Sequence, residues 1–302
     1  MSTQDFINTV LAGIVTYNPD LGRLRENVDA VFRNGISRIV IVDNGSAAFG
    51  ELSARFGADD RIRLIANGRN RGIACALNQI FEEASHEPGI EWVLTLDQDS
   101  VIFDELLDRF AGHAGEEGVV SLCALKEDRA NHNPDEHSDA ETEFVNGCYT
   151  SGNLVKLSAW REVGGFDSRL FIDMVDYDFC LRLLENGGKI LRINQVLFLH
   201  SLGEQTPVRF LGKTRYLLNY SAFRRYYITR NTIYLRRSYA LGNSFFPPAF
   251  LTRNLLKVLL FEQDKLPKLS ASLQGLRDAR GLRREDFRPW DAAASVEVEA
   301  WR

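Results

Sequence analysis

Four times in its first hundred residues the chain runs an apolar stretch into a polar cluster. Thr9–Tyr17 ends in Asn18-Pro19-Asp20, Arg38–Val42 in Asp43-Asn44-Gly45-Ser46, Arg61–Ala66 in the run Asn67 to Gly72, and Trp92–Leu96 in Asp97-Gln98-Asp99. Short apolar runs bounded by turn residues read as buried strands. Between them, Leu21–Asn34 and Ile73–Ala84 have helical character, with Leu21, Leu24, Val28, Val31 and Phe32 on one side of the first. Strands alternating with helices imply right-handed crossovers and a mainly parallel sheet. In such a sheet the C-terminal strand ends share an edge, so the four polar clusters are expected to meet in one crevice.

The fourth cluster carries the sharpest chemistry. Asp97 and Asp99 leave a buried strand two residues apart, and paired carboxylates there suit a hard divalent cation, Mg²⁺ or Mn²⁺, that also holds a substrate phosphate. The plainer alternative is that they cap the helix supplied by FDELLDRF after Val101.

Downstream, Gly118–Ala124 reads as a fifth strand and Lys126–Thr142 as a polar, mobile loop. Phe144–Thr150 resumes strand character and leads to Ser151-Gly152-Asn153, and a helix at Leu157–Val163 ends at Gly164-Gly165. Asp173, Asp176 and Asp178 then gather at a helix start. Acids in a first turn complement the helix dipole, but three close together should raise the pKa of at least one, preparing it to take a proton. Lys189–Ile193 and Val196–Leu199 read as short strands, the second ending at His200, which could complete a metal site, contact a phosphate or be structural.

From Arg209 the chain reads as helical, forming with the fold's α/β part an expected division at 1–205 and 206–302. Tyr216–Tyr239 mixes arginines with aromatics, and Phe245–Phe261 is more apolar. These helices suit an anionic membrane surface, the rest of the domain or a second copy of the chain, and the sequence leaves the three open. Glu285–Arg302 reads as a loose tail.

The 302 residues carry a net charge of −5, which argues against a general nucleic-acid partner. The four cysteines have no metal-ligand or disulfide spacing and read as buried thiols of a reducing compartment. No signal peptide or membrane-spanning stretch is evident, so the expected location is cytoplasmic, with at most peripheral contact on the inner membrane face.

The ordered motifs VTYNPD (15–20), IVDNGS (41–46), NRGIACALNQ (70–79), LDQDS (96–100), SGNLV (151–155), FIDMVDYDFCLR (171–182), LHSLGE (199–204) and YYITRNTIYLRR (226–237) resemble family 2 inverting glycosyltransferases. Among these, they look most like bacterial rhamnosyltransferases of O-antigen and related cell-surface polysaccharides. The resemblance implies a GT-A fold: an α/β, mainly parallel Rossmann-like sheet flanked by helices, with a helical C-terminal appendage. It implies that Tyr17 and Asp43 hold the nucleotide base, with Asn70 and Gly72 near the base or ribose. Asp97, Gln98 and Asp99 form the DXD-type segment, with Asp99 on Mg²⁺ or Mn²⁺ and His200 near the metal or diphosphate. Asp176 matches the family's catalytic Asp. Val175 stands where a Glu is common, which leaves Asp173 and Asp178 as alternative bases. Arg230 is expected on the donor diphosphate or the acceptor. The implied donor is dTDP-rhamnose and the implied acceptor a lipid-linked saccharide. Another nucleotide sugar, or a non-catalytic glycan-binding or scaffolding relative, are the alternatives.

Overall fold

The computed structural model describes residues 2–128, 133–134, 139–200, 206–210 and 213–292. Its order begins α1 (Thr3–Ile7), β1 (Val10–Thr16), α2 (Leu21–Arg33), β2 (Ile39–Asp43), α3 (Phe49–Phe56), β3 (Ile62–Ala66), α4 (Ile73–His86) and β4 (Trp92–Asp97). These strands pair in parallel in the order β3-β2-β1-β4. Side chains alternate as the pleat requires. Val10, Ala12 and Ile14 of β1 join Trp92, Leu94 and Leu96 of β4 in one core, while Leu11, Val40, Val42 and Val93 join a second core on the opposite face. Helices α1, α2 and α3 and the later helix α5 (Leu106–Ala111) cover the first face; α4 covers the second. A Cβ on Gly13 would run into the Ile80 side chain, so this glycine lets α4 lie close against β1.

Past β4 the sheet becomes mixed. It continues through β5 (Val101–Ile102), α5 (Leu106–Ala111), β6 (Val119–Asp128), β7 (Asn133–Pro134), β8 (Thr142–Val145), β9 (Asn153–Lys156), α6 (Leu157–Glu162), α7 (Val175–Glu185) and β10 (Lys189–His200). The main order is β3-β2-β1-β4-β9-β6-β10-β5, with β7 paired to β6, β8 paired to β10, and β9 antiparallel to both its neighbours. The last three residues of the SGNLV segment therefore begin a central strand, although the polar start hid it from the sequence pattern. The two short strands expected at 189–199 are one bulged strand, β10. Residues 129–132 and 135–138 of the polar stretch expected as a loop lie outside the described residues; its first residues extend β6.

The C-terminal part differs from expectation at its start. Thr206–Phe210 (β11) and Lys213–Leu217 (β12) form an antiparallel hairpin before the helices begin. Then come α8 (Ala222–Ser238), α9 (Gly242–Phe245), α10 (Ala249–Phe261) and α11 (Lys265–Asp278). Tyr234, Leu235, Tyr239 and Phe246 share a core with α4, α6 and α7. A buried charge cluster, Arg225–Glu262–Lys268, joins α8 to the start of α11. Cys123, Cys148 and Cys180, scattered in sequence, also meet, with Cys148 Sγ 3.8 Å from Cys180 Sγ; all are free thiols.

Candidate active site

The strand-end clusters do converge. Tyr17 N donates to Gln98 Oε1 at 2.8 Å, tying β1 to β4. Asn18 N donates to Ser46 Oγ at 2.7 Å, and Ala47 N to Asn18 Oδ1 at 2.9 Å, tying β1 to β2. Asn44 donates to Gly72 O at 3.1 Å and accepts from Asn67 Nδ2 at 2.9 Å, tying β2 to the loop after β3. Asn70 Oδ1 holds that loop by accepting from Gly72 N at 2.9 Å. Gly72 has φ 83°, and a Cβ there would stand 2.7 Å from Phe171 O, so the loop is pressed against the segment before α7. Tyr17 is half exposed at the crevice mouth.

Asp43, expected on the nucleotide base, is 1% exposed. Its carboxylate accepts from Gly45 N (3.0 Å), Ser46 N (2.9 Å), Thr16 Oγ1 (3.1 Å) and Ser46 Oγ. Four donors fill a carboxylate's acceptor sites. In this structure Asp43 builds the turn that faces the crevice.

Asp97 and Asp99 sit partly buried at the end of β4. The Oγ of Ser151, two residues before β9, accepts from Asp97 N at 3.1 Å and lies 2.7 Å from Ser100 Oγ. Ser100 Oγ lies 3.0 Å from His200 Nδ1, and that nitrogen is 3.8 Å from Asp97 Oδ2 and from Asp99 Oδ1. Burial pushes the Asp97 carboxyl up, against the pull of Lys126 and Arg224. Burial raises Asp99 too, opposed by His200 and reinforced by Asp97. Two desolvated carboxylates whose charges oppose one another are the donor set a hard divalent cation relieves. Among the described residues no group of three or more His, Cys, Asp or Glu side chains is gathered as a ready metal cluster. Asp97 and Asp99 thus fit a cation as an oxygen pair. His200 Nδ1, at 3.8 Å from an oxygen of each, stands beside this pair with its ring held by Ser100.

The three downstream carboxylates have three different environments. Asp178 is fully buried, accepts from Arg182 Nε (3.0 Å) and Nη2 (2.8 Å), and takes the Tyr239 hydroxyl at 2.7 Å. Asp173 is ion-paired with Arg224 of α8, whose Nε stands 3.2 Å from Oδ2. Asp176 accepts only from the neighbouring Tyr177 N, at 2.9 Å, and makes no ion pair among the described residues. Burial, then the charges of Asp173 and Asp97, push its carboxyl up to about 7. Charge coupling among Asp97, Asp173, Asp176 and Arg224 puts the two acidic motifs on one crevice.

Arg230 does not turn toward the crevice as expected. Its Nη2 donates to Arg169 O (2.6 Å) and Leu170 O (3.2 Å), and its guanidinium lies 4.7 Å from the Tyr227 ring centroid. Sequence reasoning missed Arg224 and the Ser100–Ser151 pair. The first was one arginine among many in a basic segment, and the second required knowing that β9 lies beside β4. A cavity of about 240 Å³ lined by Cys123, Cys148, Tyr149, Arg192 and Phe198 opens beside Ser151.

The sheet, its crevice and its acidic edge define an α/β enzyme of the GT-A type. Residues 12–169 match the family model described as glycosyl transferase family 2, more than half of the chain, and the chain belongs to that family: it is a glycosyltransferase. It is 29% identical over 245 residues to the dTDP-rhamnosyl transferase RfbF of Shigella flexneri, covering 76% of this chain and 80% of that protein. The fold resembles TarS residues 1–349 from S. aureus, with a TM-score of 0.61 and 14% identity over 90% of this chain and 80% of that one. A second TarS structure, in complex with UDP-GlcNAc, gives a TM-score of 0.57 at 14% identity, covering 90% and 87%.

Proposed function

We propose that the protein is an inverting rhamnosyltransferase that moves L-rhamnose from dTDP-β-L-rhamnose to a saccharide hydroxyl in cell-surface polysaccharide synthesis of the O-antigen type. The observation that carries the mechanism is Asp176, the one carboxylate of the three that no arginine neutralises, with its pKa raised to about 7. A base of that strength is half-deprotonated near neutral pH and accepts a proton readily in the transition state. Asp176 takes the acceptor's hydroxyl proton, the oxygen forms a bond to the anomeric carbon, and the carbon–oxygen bond to the diphosphate breaks on the opposite face. The configuration inverts in one displacement. Asp97 and Asp99 would hold Mg²⁺ or Mn²⁺, which when bound neutralises charge on the departing nucleoside diphosphate. Tyr17 and the Asn70–Gly72 loop border the place for the nucleoside, and the Tyr17–Gln98 bond keeps that border in register with the acidic edge. The similarity to the dTDP-rhamnosyl transferase supports the choice of donor. Asp176→Asn tests the reading: dTDP-rhamnose turnover should fall while donor binding remains.

The proposal extends to where the acceptor is met. Leu255, Leu256, Leu259 and Leu260 of α10 are exposed, flanked by exposed Arg253 and Lys257, and α10 contains no acid. Leu266, Leu273 and Leu276 of α11 are exposed as well. Apolar side chains bordered by cations complement an anionic bilayer surface. A symmetric contact with a second copy would set the same cations against one another. The reading is therefore peripheral contact with the membrane that carries a lipid-linked acceptor. Among the described residues no helix is long and apolar enough to cross a membrane.

A further inference from the structure

The segment between Asp167 and α7 is held in a backbone conformation that its side chains disfavour. Phe171 (φ 64°), Asp173 (φ 61°) and Met174 (φ 66°) all lie in the left-handed region, and none is a glycine. Such a run persists only where its surroundings over-determine it. Here they do. Asn231 of α8 is fully buried, and its Nδ2 donates to Leu170 O (2.9 Å), Ile172 O (2.9 Å) and Asp173 O (2.8 Å). Three carbonyls share two N–H groups. Arg230 Nε donates to Asn231 Oδ1 at 2.9 Å, which fixes the direction of the amide. The carbonyl between, Phe171 O, accepts from Ile73 N at 2.7 Å, the first residue of α4 and neighbour of Gly72. The carbonyls from Arg169 to Asp173 are thus all engaged from α8 or α4.

We infer that Asn231 is a positioning residue for the transfer reaction: its amide holds the strained 170–174 loop that presents Asp176 on one side and abuts the Asn70–Gly72 loop on the other. The inference rests on the reading of Asp176 as base. Asn231 need not touch substrate. Without its amide Ile172 O and Asp173 O lose the donor that Asn231 gives them, Leu170 O keeps only Arg230 and the Ile172 amide, the left-handed run relaxes, and the first turn of α7 shifts with it. Asp176 then moves away from Asp173 and Asp97 toward solvent.

The test is the hydrolysis of dTDP-rhamnose with Mg²⁺, measured from pH 5 to 9 for the full chain and for Asn231→Leu, which removes the donors without adding charge. The expected result is a kcat lower by roughly tenfold or more, a KM for the donor within about threefold, and an acidic limb displaced to lower pH. Met174→Gly, which permits φ 66° without strain, should recover part of the lost rate in the Asn231→Leu background. Should Asn231→Leu not fold, Asn231→Gln, which keeps the amide on a longer arm, should show the same pattern in weaker form. A folded variant with unchanged kcat overturns the inference, as does a lower kcat with an unmoved limb and no recovery by Met174→Gly. Asp176→Asn run beside these separates the two claims. If Asp176→Asn is inactive and Asn231→Leu is normal, the clamp is wrong; if Asp176→Asn keeps its rate, the base assignment is wrong and the clamp loses its purpose.

Discussion

Arg224 closes an ion pair on Asp173, on the loop three residues before Asp176 and the first turn of α7. Helix α8 thereby neutralises one acid of the FIDMVDYDF segment, while Arg182 and Tyr239 immobilise another, and Asp176 is left to face the crevice. Three neighbouring carboxylates thus have three environments: an ion-pair partner, a buried anchor and, in Asp176, the acid proposed as the base.

The pH dependence follows from Asp176. Its pKa of about 7 means that donor turnover should climb with pH through a midpoint near 7 and level off above it. Asp176→Asn should lower the rate by about 10²–10⁴-fold and remove that midpoint. The same group affects stability in the opposite direction. A folded pKa above the unfolded value of 3.8 means that the folded state binds more protons between about pH 4 and 7, so its contribution weakens as pH rises through that window. Asp176→Asn should therefore raise the unfolding free energy relative to the wild type more at pH 8 than at pH 5, by on the order of 1–2 kcal/mol for a partly exposed side chain, with the larger rise in melting temperature at pH 8. Paired melting curves at the two pH values check this.

Asp173→Asn should move the rate midpoint to lower pH. Asp173 is one of the charges that raise Asp176, and asparagine removes it while tolerating the left-handed backbone at this position. The freed Arg224 acts in the same direction. A pH–rate profile of this variant showing a midpoint at or above the wild-type value would contradict the charge coupling.

Asp178→Ala should act on folding. It leaves Arg182, nearly buried, without its carboxylate, a loss of about 3–5 kcal/mol. Denaturation by urea should show the lower stability, and turnover per folded molecule at low temperature should stay near the wild-type value.

Much of this was legible from residue order. The parallel half of the sheet and the meeting of its four strand-end clusters follow from apolar runs that stop abruptly, and the hydrogen bonds Tyr17–Gln98 and Asn44–Gly72 show the result. Other features depend on contacts between distant segments. The resemblance sets Asp43 on the nucleotide base, and only the folded turn shows its carboxylate filled by Thr16, Gly45 and Ser46. Asn153 and Leu154 begin a central antiparallel strand that no periodicity announces, and Arg230 points into the loop because α8 packs against Arg169 and Leu170. The resemblance put Asp176 first among the three acids, but the ion pair that sets Asp173 apart comes from α8, fifty-one residues further along the chain.

Vesicle sedimentation checks the α10–α11 surface. The protein should bind phosphatidylglycerol vesicles more tightly than phosphatidylcholine vesicles, with binding weakened by salt. Leu256→Glu with Leu260→Glu should reduce it by about tenfold or more. Equal binding to both lipids, or a dimer in sedimentation velocity that these substitutions break, would assign the surface to another role.

The most direct measurement is release of nucleoside diphosphate from dTDP-rhamnose, UDP-glucose, UDP-galactose and GDP-mannose, each with Mg²⁺, Mn²⁺ or EDTA, by the wild type, Asp99→Ala and Asp176→Asn. The account predicts cation-dependent turnover of dTDP-rhamnose above the other donors, with binding of donor and cation weakened in Asp99→Ala and turnover alone lost in Asp176→Asn. Full turnover in EDTA, or an Asp176→Asn variant as active as the wild type, would contradict it.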